Sequence, residues 1–162
     1  MHILGLEPEE VITQVEKSVK KIHLLLPRDK KYSLSGYLCI IDAKTEIQQL
    51  LVMIGHVPVE NVEECQRLAI LRASRLAKFW RLYKHYSSFQ SRSRDPKEEK
   101  YGGAIYVSDF TIFAFAGLSD ELADEAVLLH AMSVLFEGSF GEIAKYIVGE
   151  TRNEYYRRMF RF

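Results

Sequence analysis

Between residues 7 and 26, apolar side chains return every three or four positions: Val11, Ile12, Val15, Val19, Ile22 and Leu26, with Lys17, Lys20 and Lys21 between them. That period predicts an amphipathic helix. Pro8 suits its first turn, where the missing N–H costs nothing, and the neighbouring glutamates complement the helix dipole. Pro27-Arg28-Asp29 ends it. The pattern then shortens. Leu34–Ile41 and Ile47–Ile54 are apolar runs joined by Asp42-Ala43-Lys44-Thr45-Glu46, which predicts two strands and a short hairpin connection. Gly55-His56-Val57-Pro58 breaks the second run.

Helical spacing resumes near Asn61, which stands three residues before Glu64 as in a capping box. Val62, Cys65, Ala69, Ala73, Leu76, Trp80 and Tyr83 form one apolar stripe, and Arg67, Arg75, Lys78, Arg81 and His85 the opposite side. Ile70, Leu71 and Leu82 fall near or within that charged side, so part of it is expected to pack on a neighbouring element or subunit. Residues 87–100 are serine-rich and charged and read as an exposed loop.

A second hairpin follows, turning at Ser108-Asp109. Its strand 111–116 is apolar at nearly every position, the mark of a central strand covered on both faces. Gly117-Leu118 leads to Ser119 as N-cap, with Asp120 and Glu121 in the first turn. Leu122, Ala126, Leu129 and Met132 carry the next stripe towards Gly138. Ser139 with Glu142 makes a second capping box, opening a last helix through Ile143, Ile147 and Val148 that Gly149 bends or ends. The tail 152–162 mixes Tyr155, Tyr156, Met159, Phe160 and Phe162 with Arg157, Arg158 and Arg161, a composition that contact surfaces favour. It docks either on its own domain or on another subunit.

Helix, strand pair, long helix, strand pair, helix predicts an α+β fold: a three-layer α/β/α sandwich around an antiparallel sheet. Residues 1–162 form one domain, with 139–162 as a C-terminal helical extension. The exposed apolar helix surface predicts a homo-oligomer.

Composition narrows the function classes. Lys+Arg and Asp+Glu balance at 22 each, so no global charge recruits nucleic acid or an anionic membrane. No apolar run approaches the ~20 residues of a membrane span, and the N-terminus has no signal-peptide core. The expected location is the cytoplasm. Cys39 and Cys65 sit in apolar patterns and read as buried free thiols. No acidic residue occurs between Cys65 and Arg94. This local basic field is either a solvated face or an anion site for phosphate, carboxylate or haem propionate. Arg72 falls toward the apolar side of the same helix, either snorkelling or pairing with a bound or buried carboxylate.

No P-loop, GxSxG, CxxC or HExxH is present, and the five histidines share no metal-binding spacing. His23 and His130 read as packing residues before haem ligands. Gly102-Gly103 lacks the GxGxxG context of a dinucleotide loop. Asp124-Glu125 are sequential, so on a helix they point about 100° apart and do not form an acid–base pair.

Four short motifs go further. They are Ile40-Ile41-Asp42 at a strand end, Arg72-Ala73 through Ala77 and Phe79, Gly102-Gly103 followed by Ile105, and Ala116-Gly117 followed by Asp124-Glu125. On an element order shared with profilin-like and roadblock-like domains, they resemble the GlcG-like family. That family includes haem-degrading HbpS-like proteins and the C-terminal domain of PduO-type proteins. The resemblance runs from about Glu9 to Leu135. The chain departs from the family's pattern at Ala43, where a glycine is usual, at Ser108-Asp109-Phe110, which lacks glycine, and at Ala116, where serine is usual. The resemblance implies a profilin-like fold and a small ligand: haem, another tetrapyrrole or an anionic metabolite. Haem is the one cofactor it suggests. The candidate surface joins Arg72 and Arg75 to Gly102 and Gly103. A role as an enzyme accessory to cofactor or glycolate metabolism rests on the family name alone. The alternative is a non-enzymatic, homo-oligomeric interaction module of roadblock or profilin-like type.

Overall fold

Four strands, β1 (Gly36–Asp42), β2 (Gln48–Ile54), β3 (Ala104–Ser108) and β4 (Thr111–Ala116), form one antiparallel sheet in the order β2-β1-β4-β3. The structure, a computed structural model, describes residues 2–27, 34–93 and 102–160. The two hairpins meet along β1 and β4, from Tyr37 opposite Ala116 to Asp42 opposite Thr111. β4 is buried at every position and lies inside the sheet, as its unbroken apolar run predicts. Alternation along the strands sorts side chains between two cores. Leu38, Ile40, Phe113 and Phe115 face one way; Tyr37, Cys39, Ile41, Ile112, Ala114 and Ala116 face the other.

The helices are α1 (Pro8–His23), α2 (Val59–Tyr83), α3 (Glu121–Leu135), α4 (Gly141–Thr151) and α5 (Glu154–Met159). α2 covers the second face through Ala69, Ala73, Leu76, Ala77 and Trp80. Its alanines meet Ala114 and Ala116, so helix and sheet approach closely. α3 covers the first face and is itself packed against α1, α4 and α5. Enclosed this way, it is buried continuously from Ala123 to Met132. The result is the α+β, three-layer α/β/α sandwich with profilin-like order. The C-terminal extension is two helices rather than one. Met159 is buried and Tyr155 and Tyr156 pack on the first core, so the tail docks on its own domain.

Several local expectations are corrected. α2 begins at Val59 with Pro58 at the N-cap, and Asn61 lies inside its first turn, donating its N–H to the Pro58 carbonyl. A proline has φ already fixed for helix entry, so no side-chain cap is required. Ser119 sits at φ 58°, which turns the chain and leaves Asp120 as the N-cap of α3, accepting from Leu122 and Ala123 N–H. Ser139 donates back to the Phe136 carbonyl, and α4 starts behind buried Phe140 instead. The β3–β4 turn is Asp109-Phe110, one residue later than expected. Both residues have positive φ, 46° and 57°, as a tight hairpin turn matching strand twist requires. Ser87–Ser93 is not an exposed loop. Ser88–Ser93 forms a short 3₁₀ helix, and Ser87, Ser88 and Ser91 are fully buried. The expectations for 94–100 and 28–29, like Tyr101, Arg161 and Phe162, lie outside the described residues.

The strand ends cross at two glycines. A Cβ on Gly117 would stand 2.1 Å from the Ser35 carbonyl oxygen and 2.5 Å from Gly36 Cα. Both are backbone atoms and cannot swing aside. Gly117→Ala is expected to cost about 1–3 kcal/mol, read by denaturant unfolding, whereas Gly141→Ala, with nothing nearby, is not expected to destabilise.

Candidate functional site

The first turns of α2 face the junction where β4 passes into α3. Because Ser119 reverses the chain and Asp120 caps α3, the two elements do not close on each other. They leave a cleft of about 450 Å³ lined by Asn61, Glu64, Cys65 and Leu68 on one side and Gly117, Ser119, Asp120 and Glu121 on the other. Arg72 and Asp124 complete the lining. Asp120 is held by two α3 amides and by the Tyr155 hydroxyl, which donates to its Oδ2 at 2.8 Å, so α5 braces this wall. Arg67 donates twice to Glu64 on the opposite wall.

Arg72 and Asp124 form an ion pair, Nη1 to Oδ2 at 2.7 Å, with side chains only 4% and 1% exposed. The same Nη1 donates to the Phe115 carbonyl at 2.8 Å, and Asp124 Oδ1 accepts from Leu118 N–H at 3.0 Å. Arg72 Nε is buried with no hydrogen-bond partner among the described residues. Of the two sequence readings of Arg72, pairing with a buried carboxylate is the observed one; it does not snorkel. Burial raises the Asp124 carboxyl above its ordinary value, and the Arg72 charge and amide donors oppose that shift.

Glu125 points elsewhere, as adjacent helical positions must. It is fully buried, with Oε1 accepting from Ser87 and Oε2 from Thr151 Oγ1 at 2.9 Å and Asn153 Nδ2 at 2.7 Å. Three neutral donors from three segments converge on one carboxyl. Burial raises its pKa as well, more than these hydrogen bonds lower it.

The sequence candidates are partly brought together. Gly103, at φ 118°, is pressed against Arg72: a Cβ there would lie 2.7 Å from both Nη1 and the Phe115 carbonyl oxygen. Its own carbonyl accepts from Phe115 N–H at 2.7 Å. Gly102 packs on the Glu121 backbone, where a Cβ would stand 2.7 Å from the carbonyl oxygen. Both glycines therefore support the floor of the cleft rather than line it. Arg75 turns to the 3₁₀ helix, its Nε donating to Ser91 Oγ at 2.5 Å. Much of the basic field is locally answered, by Glu64 for Arg67, Asp124 for Arg72 and Glu46 for Arg81.

His130 is buried against Ser18, sharing a 2.8 Å hydrogen bond through Nδ1, and desolvation lowers its pKa to about 4. Cys39 is a buried thiol pushed up to about 11, while Cys65 is half-buried in the cleft wall. Leu68, Ser119 and Asp120 were not singled out as site residues. The break at Gly117 before the α3 cap is a sequence signal for Ser119 and Asp120, and nothing in the α2 pattern marks Leu68.

Among the described residues, no group of three His, Cys, Asp or Glu side chains could hold a metal ion, and no helix is long and apolar enough to cross a membrane. No family model matches the chain, and no curated protein or solved structure does.

Proposed function

We propose that this protein is a small-ligand-binding module whose site is the cleft between α2 and the β4–α3 junction. The observation carrying this reading is the buried Arg72–Asp124 pair beneath an open cleft, with Arg72 Nε unpartnered among the described residues. A fold seldom desolvates such a pair for stability alone, because burying two charges roughly cancels their attraction. A pair so held fixes the base of the cleft, so that the side chains lining it meet a ligand already in place.

The lining also bears on ligand class. Among the described residues, Arg67 answers Glu64 and Arg72 answers Asp124, while Asp120 and Glu121 line the cleft without an ion pair, which favours a ligand bringing N–H or O–H donors. The GlcG-like resemblance supports ligand binding as a role but points to haem, tetrapyrroles or anions. A propionate here would face carboxylates, and among the described residues no histidine lines the cleft. Haem is therefore the weaker version. Titrating haemin into micromolar protein tests it directly, and no Soret shift is expected.

The wider reading is tested by ligand-observed NMR with serine, glycerol and putrescine. At least one is expected to show saturation transfer in the wild type and to lose it in Leu68→Trp, which fills the cleft. Transfer that is absent for all three, or unchanged by Leu68→Trp, would overturn it.

A further inference from the structure

The two edges of the sheet end differently. The outer side of β3 is closed by the chain itself: Ser87 bridges to Ile105, Tyr106 N–H donates to the Tyr86 carbonyl at 2.8 Å, and Ala104 N–H donates to Ser88 Oγ at 3.1 Å. The outer side of β2 has no strand against it among the described residues. The helix layers do not hide it either. α2 packs on β1, β4 and β3, and α1 meets β2 only lightly. Leu50, Leu51, Val52 and Met53 consequently remain half-buried.

These side chains serve both faces. Leu50 and Val52 reach the core under α1 and α3, and Leu51 and Met53 the core under α2. A strand apolar on both faces has the composition of a sheet interior, yet β2 is an edge. Edges are normally blunted by charge, proline or a bulge. Gln48–Ile54 contains no charged residue and no proline, and its single irregularity, at Gln49, leaves Leu50–Ile54 regular.

We propose that β2 pairs antiparallel with β2 of a second copy about Val52, joining two four-stranded sheets across a two-fold axis. A two-fold contact must be complementary to itself. In this register Leu50 opposes Ile54, Leu51 opposes Met53 and Val52 opposes its own copy, so no like charges meet. The exposed apolar residues of α2 offer a less continuous surface: Ile70, Leu71 and Leu82 are interspersed with exposed Arg67, Lys78 and Arg81, whereas Leu50–Ile54 is apolar without interruption. Since β3 is already closed, each copy offers one open edge among the described residues, and association stops at two rather than extending into a fibre.

Sedimentation equilibrium on the full chain, over about 1–100 µM, tests this. The expected mass rises towards twice the 18.8 kDa of one chain. Val52→Lys, which places two cations across the axis, is expected to weaken dimerisation by about a hundredfold or more. A monomer throughout, a dimer unaffected by Val52→Lys, or open-ended growth would each overturn the proposal. If circular dichroism shows that V52K does not fold, amide exchange of the wild type at two concentrations decides. Protection of Leu50–Ile54 amides that rises with concentration supports the dimer, and unchanged protection rejects it.

Discussion

Arg72→Met is expected to lower folding stability by about 3–5 kcal/mol, because it leaves the Asp124 carboxylate buried without its cation. Asp124→Leu is expected to cost a similar amount, stranding the guanidinium instead. The double variant should recover most of that loss, since an apolar pair of similar volume removes both desolvation penalties together. About 1 kcal/mol should stay missing, because the Leu118 N–H then has no acceptor. Denaturant unfolding of the four proteins reads the coupling. Additive losses would mean that the pair does not act as a unit.

Glu125 sets the second large effect. Glu125→Ala deprives Ser87, Thr151 and Asn153 of a shared acceptor, and the expected loss is about 3–5 kcal/mol from buried polar groups left unpaired. Glu125→Gln should be tolerated. Its amide oxygen can replace Oε2 for Thr151 and Asn153, while its NH₂ donates to Ser87 Oγ. The two variants also differ in pH dependence. The folded-state pKa of Glu125 is raised above its unfolded value near 4.5, so the folded protein binds this proton more tightly. The associated stability is complete below about pH 4.5 and falls as pH rises through the folded-state value. Compared with wild type, E125Q should therefore gain relative stability between pH 5 and pH 8. A wild-type to E125Q difference constant across that range would show that Glu125 is ionised throughout.

These two carboxyls mark what could be read from the chain. Their adjacency on α3 is enough to say that they point apart, and they do: Asp124 to α2, Glu125 to the 3₁₀ helix and the start of α5. The sheet was equally legible, because β4 carries apolar residues on both faces and only an interior position can cover both. The partners of Glu125 were not. They lie 38, 26 and 28 positions away, and no periodicity connects residues across that distance. Ser87, Ser88 and Ser91 looked like solvent-facing loop residues because a serine hydroxyl carries no sign of whether water or a buried carboxyl will satisfy it. The cleft was hidden for a related reason. It exists because Ser119 adopts a left-handed conformation and passes the capping role to Asp120, and both residues are ordinary N-caps on paper. The basic field was visible as composition, but its compensation by Glu46, Glu64 and Asp124 is a matter of tertiary placement.

What remains central is whether ligands are received over the Arg72–Asp124 pair or on the basic outer surface of α2. Amide chemical-shift mapping of the wild-type chain with serine, glycerol and putrescine separates the two most directly. The expected shifts fall on Asn61–Leu68 and Gly117–Asp124, on both walls of the cleft. Shifts confined to Arg75–Arg92, or none with any of the three, would contradict the account.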